Sequence, residues 1–149
     1  MVDKKLDMNY SIEINVNFTE TNKLFNILID GKILNTFNPI AIMSLDIEKV
    51  PLFLQSVIDE KDYDVMDYSR ISFGEYEFDG EILVPKGMVG FSVFDDRTII
   101  SKKDFLELCL QLGMKSLEVF EKFDLKVDGT VRDDINKLIP LLEGKIKLV

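Results

Sequence analysis

Asp79-Gly80-Glu81-Ile82-Leu83-Val84-Pro85-Lys86-Gly87-Met88-Val89-Gly90-Phe91-Ser92-Val93-Phe94 contains two chain reversals and the segments they separate. Asp79-Gly80 favours a tight primed turn, and Pro85-Lys86-Gly87 marks a second turn, so residues 81–84 and 88–94 read as successive antiparallel strands. Residues 88–94 carry apolar side chains on both faces, which predicts a central strand. Upstream, the apolar parity of residues 70–78 changes from Ile71 and Phe73 to Tyr76 and Phe78 across Gly74, the pattern of one inserted bulge residue, with Glu75 and Glu77 facing water. Downstream, Asp95, Asp96 and Arg97 lead to a short segment, residues 98–100, and then to Ser101, which can cap a helix whose third residue, Asp104, suits the positive N-terminal end.

That helix is expected to reach about residue 123. Phe105, Leu108, Cys109, Leu112, Val119 and Phe123 share one side, and Leu106, Leu110, Leu117 and Phe120 form a second seam, so it needs cover on two sides. Gly113 costs about 1 kcal/mol relative to alanine, which predicts a bend or the close approach of another element. A last helix is expected from Thr130, as N-cap, to about residue 138, with Pro140 ending or kinking it and Gly144 beyond.

Toward the N-terminus, residues 10–18 alternate strictly, with Tyr10, Ile12, Ile14, Val16 and Phe18 on one face. A polar connection, residues 19–23, precedes residues 24–29 and 32–37, which flank the Asp30-Gly31 turn and give three antiparallel strands ending at Asn38-Pro39. Residues 44–60 read as a loop and then a helix over about 50–59, with Pro51 in its first turn and Leu52, Phe53, Leu54, Val57 and Ile58 on the buried side. Residues 61–69 read as a polar connection. The expectation is a single α+β domain over residues 1–149: an antiparallel twisted sheet of about six strands with two or three helices packed mainly on one face. Residues 1–7 are expected to form a flexible extension.

The chain has 149 residues, 46% hydrophobic and 30% charged, enough for one core and too short for two ordinary domains. Its longest apolar blocks, such as residues 39–43, fall far short of the roughly 18 residues of a membrane span, and the start lacks the apolar centre of a secretory signal. A soluble, cytoplasmic protein with no membrane partner is expected. The single cysteine, Cys109, permits no intrachain disulfide. The absence of histidine excludes Ser-His-Asp, Cys-His and His-metal chemistry. The net charge of −9 argues against nucleic acid as a partner, because such binding draws its affinity from cationic contacts to phosphate.

Catalytic motifs fail on spacing. Phosphate loops need a glycine five residues before the glycine-lysine pair, and Asn26 and Ile139 hold that position before Gly31-Lys32 and Gly144-Lys145. Gly87 and Gly90 have a spacing found in some RNA-binding loops, but turn chemistry accounts for them. Ser92 lacks the second glycine of a nucleophile elbow, and Cys109 sits mid-helix among leucines without a base. Glu75 and Glu77 share a strand face about 7 Å apart and could form an acid and base pair; exposed strand glutamates equally serve to guard a sheet edge. Asp59, Glu60, Asp62, Asp64 and Asp67 lack the central glycine and the distant glutamate of a calcium loop, so no metal site is expected.

Residues 59–81 hold nine acids against two bases, a net of −7 over 23 residues. Tyr63, Met66 and Tyr68 are interleaved among them. Such a belt can maintain solubility, or its tyrosines can act as packed anchors while its acids speed encounter with a basic partner. On the second reading the partner-binding residues are Asp59, Glu60, Asp62, Tyr63, Asp64, Asp67, Tyr68, Glu75, Glu77 and Asp79.

The small size, the acidity, the lack of histidine, and the order of an N-terminal strand, the Ile29-Asp30-Gly31-Lys32 hairpin, later strands and an amphipathic helix resemble bacterial immunity proteins of polymorphic or contact-dependent growth inhibition toxin systems. The resemblance implies a cytosolic, non-enzymatic inhibitor that binds and neutralises a cognate toxin domain, often a basic nuclease, and needs no cofactor. Two alternatives stand beside it. One is a non-catalytic assembly subunit or homodimer that uses the two-sided helix beginning at Ser101. The other is a small enzyme dependent on the carboxylates of Glu75 and Glu77.

Overall fold

A computed structural model of the chain describes residues 3–5, 11–16, 25–30, 47–66, 69–73, 76–78, 80–93, 96–122 and 127–149. The class is α+β. Its strands are β1 (Asp3–Lys5), β2 (Ser11–Val16), β3 (Phe25–Asp30), β4 (Tyr63–Met66), β5 (Ser69–Phe73), β6 (Tyr76–Phe78), β7 (Glu81–Val84), β8 (Met88–Val93) and β9 (Asp96–Ser101). Its helices are α1 (Val50–Ile58), α2 (Lys102–Lys122) and α3 (Gly129–Lys147), with a 3-10 turn, Ile47–Lys49, leading into α1.

Among the described residues, the main sheet has five strands in the order β1-β9-β8-β5-β4. Its last four are antiparallel, and β8 lies inside, as its two-sided apolar pattern requires. β1 pairs in parallel with β9, so part of the expected flexible extension is a strand, at the end of the sheet among the described residues. A three-residue strand held by backbone pairing leaves no alternation to detect.

The expected sheet of about six antiparallel strands is also corrected by two separate ribbons, β2–β3 and β6–β7. In the first, Ser11 pairs with Asp30 and Val16 with Phe25; the expected third strand over residues 32–37 lies outside the described residues. In the second, Phe78 pairs with Glu81 around Gly80, whose φ of 78° is the left-handed conformation that glycine adopts without penalty. The parity change therefore falls between β5 and β6, which belong to different sheets, and not within one strand; Gly74 itself lies outside the described residues. Passage of a strand between sheets and a bulge both invert the side-chain alternation, so pattern alone does not separate them.

Val84, the last residue of β7, packs on the sheet face opposite the helices. The Phe91 ring meets that of Phe105 of α2 at 5.3 Å, tilted by 56°, so its neighbour Gly90 faces the other way. A Cβ on Gly90 would stand 2.6 Å from Cγ2 of Val84, which is itself buried. Glycine at this position makes room for Val84.

On the helical face, Phe105 is the hub. Its ring meets Phe53 at 6.5 Å, Phe73 at 5.4 Å and Phe91 at 5.3 Å, joining α1, β5 and β8 in one core. Each fully buried ring of this kind contributes about 1.5–3 kcal/mol relative to exposure. Ser101 caps α2 as expected, its hydroxyl accepting from the Asp104 amide at 3.1 Å. Both seams of α2 are engaged within the chain: Leu106 is buried, Leu110, Leu117 and Phe120 pack against the core, and β2 runs beside the helix. Gly113 sits where three helices meet, its Cβ position 3.4 Å from Leu54 of α1 and 3.4 Å from Ile139 of α3. This is the close approach that its cost predicts.

Three expectations about the helices need correction. Leu52 is 68% exposed, because the buried stripe of α1 is Val50, Phe53, Leu54 and Val57. The last helix runs on to Lys147 with Pro140 inside it, and Asp128 is its cap, accepting from the Thr130 amide at 3.0 Å. Val131, Ile135, Leu138 and Leu142 keep one face of α3 buried through the proline, while Pro140 and Asn136, whose carbonyl loses its helical donor, both face solvent. The expected polar connection over residues 61–69 contains β4, a strand too short for its alternation to stand out.

Candidate interaction surface

The acidic stretch starts where α1 stops. Asp59 ends the helix, and its carboxylate accepts from Gln55 Nε2 at 3.2 Å. The next residue, Glu60, takes the left-handed conformation at φ 55°, the one non-glycine residue to do so among the described residues. Its amide donates to the carbonyl of Val57 at 3.2 Å, and the Lys61 amide to that of Ser56 at 2.9 Å. These two bonds form the paired helix stop that usually places glycine at this position. Here the glutamate side chain supplies what glycine would lack. Its carboxylate pairs with Lys102 at the start of α2 and stands 4.0 Å from Lys145 near the end of α3. With Arg132 3.9 Å from Glu121 at the opposite end, α2 runs antiparallel to α3.

Asp62 fastens the turn to the sheet. One carboxylate oxygen accepts from the Phe73 amide at 2.9 Å, and the other meets the Arg70 guanidinium at 3.1 Å. Arg70 also reaches Asp64 at 3.6 Å, and Asp64 remains 71% exposed on β4, the terminal strand of the sheet among the described residues. Tyr63, between them, turns inward: its ring lies edge-on to Phe53 at 5.1 Å, and burial raises the pKa of its hydroxyl. It serves the core rather than standing clear as an anchor.

Of the ten residues singled out by sequence, Asp59, Glu60, Asp62, Tyr63 and Asp64 thus share the α1–β4 turn and the sheet edge. Glu77 belongs to a different ribbon, opposite Ile82. Asp67, Tyr68, Glu75 and Asp79 lie outside the described residues. Among the described residues, no group of three or more carboxylates and thiols is placed to share a metal ion.

Beside the turn is a cleft of about 330 Å³ bounded by Glu60, Phe73, Lys86, Met88, Val89 and Lys102. The turn between β7 and β8 forms one wall, held by a hydrogen bond from the Lys102 amide to the carbonyl of Gly87 at 3.2 Å. Glu60 is the member of the belt that faces this cleft. Sequence reading missed its lysine partners because they lie 42 and 85 positions away. Glycine-free helix stops also leave no local mark.

Cys109 is fully enclosed in the core, and burial pushes its thiol well above the usual range, so it remains protonated and is not presented as a nucleophile. Among the described residues, no helix is long and apolar enough to cross a membrane. No family model matches the chain, and no curated protein or solved structure matches it either.

Proposed function

We propose that this chain is an immunity-type binding protein, which recognises a basic protein domain through the acidic turn and sheet edge beginning at Asp59 and neutralises it by occupying its surface. One observation carries the reading: the carboxylates at the end of α1 and on β4 gather at a sheet edge, where Arg70 is the one cation bridging two of them among the described residues. Asp62 and Glu60 are committed to internal partners and act as a frame. Asp59 and Asp64 remain outward and give the edge its field, which steers a cationic partner toward it and opposes anionic ones.

The test is affinity capture with the tagged chain from cells that produce it, repeated with Asp59→Asn/Asp64→Asn. The reading expects a basic domain held by the parent and largely lost from the variant. Equal retention by both proteins, or no basic domain held by either, refutes it.

A further inference from the structure

We infer that the cleft between the α1–β4 turn and the start of α2 is a binding site for a small monocarboxylate with an apolar body. The chain carries a net charge of −9, yet this rim is positive: Lys86 and Lys102 face it, with Glu60 as the only acid lining it among the described residues. Glu60 is itself divided between Lys102 and Lys145, so one carboxylate serves two ammonium groups. Lys86 is exposed and has no ion-pair partner among the described residues.

A ligand carboxylate lodged between Lys86 and Lys102 completes an alternating row of charges. The same arrangement limits the charge of the ligand. Glu60 is fixed at the rim by two lysines and by its left-handed backbone, and it repels a second negative charge, so a monoanion fits better than phosphate. Glu60, the acid on this rim, is already held by two lysines and is not open to an amine. The walls select the rest of the molecule. Phe73 and Met88 are half-buried and offer apolar surface to an aliphatic or aromatic body, with the fully buried Val89 behind them. A volume of about 330 Å³ is at the small end for ligand pockets and suits about ten non-hydrogen atoms. The site is also held in place: Asp62 ties the turn to Phe73, and Gly87 is tied to Lys102.

The experiment is a titration of the ¹⁵N-labelled full chain with hexanoate, benzoate and 3-phenylpropionate, each paired with its neutral amide, and with inorganic phosphate. At least one carboxylate is expected to shift the amides of Phe73, Met88, Val89 and Lys102 saturably. Its Kd should be lower by about tenfold or more than that of its amide, the difference one charged contact makes. Lys86→Gln, an exposed change that leaves the core untouched, should weaken binding by about fivefold or more while the remaining spectrum stays as in the parent. The inference is overturned if no carboxylate gives saturable shifts at these residues, if an amide or phosphate binds as well, or if Lys86→Gln binds with unchanged affinity.

Discussion

Replacing Gly90 with alanine tests the packing that separates this fold from a plain antiparallel sheet. The new Cβ would stand 2.6 Å from Cγ2 of Val84, about 1 Å inside the distance at which carbon atoms attract. Val84 is 1% exposed and branched at Cβ, so it has neither space nor an easy rotamer into which to retreat. Overpacking of this kind costs about 1–3 kcal/mol, a fall in Tm of about 2–12 °C for a chain of this size. Val84→Ala removes two buried carbons and leaves a small void, at a cost of about 2 kcal/mol.

The double variant is the informative one. The methyl introduced by Gly90→Ala enters the space vacated by Val84→Ala, so the combined loss should fall short of the sum of the single losses by about 1–2 kcal/mol. Urea unfolding followed by far-UV circular dichroism on all four proteins gives this coupling directly. Additivity within about 0.5 kcal/mol, or a Gly90→Ala protein as stable as the parent, would show that Val84 does not pack on Gly90.

Three further outcomes follow from the helices. Pro140→Ala restores a helical donor on the exposed side of α3 and should raise stability by about 1–3 kcal/mol in the same urea assay; a loss would mean that the helix does not continue through the proline. Glu60→Gly exchanges two partly exposed ion pairs, worth at most about 1 kcal/mol together, for relief of left-handed strain worth about the same. It should therefore remain within about 1 kcal/mol of the parent, whereas Glu60→Val should lose clearly more by the same measurement. Cys109 has a folded pKa above its unfolded one. From about pH 8.5 upward the unfolded chain releases this proton and the folded chain does not, so stability is intact below that pH and declines as pH rises. Urea midpoints across this range should fall for the parent and fall less for Cys109→Ala; parallel slopes would exclude the thiol as the cause.

Sequence revealed most where one residue alone determines a local geometry. Gly80 at a hairpin, Ser101 at a cap and Pro51 in a first turn each solve a backbone problem that few residues solve, and each sits where expected. The cost of Gly113 likewise announced the helix junction it occupies. What stayed hidden depends on partners distant in the chain. Asp3–Lys5 is a strand because β9 offers it a backbone ladder, and Pro140 is tolerated because the carbonyl it frees faces water. The acidic turn was legible as charge but not as structure. Tyr63 packs on Phe53, Asp62 bonds to the Phe73 amide, and Glu60 meets Lys102 and Lys145; each pairing follows from how α1, α2 and the sheet come together.

The association rate with the captured basic domain, followed as salt rises from about 50 to 500 mM, tests the acidic edge most directly. Steering by this surface predicts a steep fall for the parent and a slower, flatter rate for Asp59→Asn/Asp64→Asn, with dissociation little changed. Coincident salt profiles for the two proteins would contradict it.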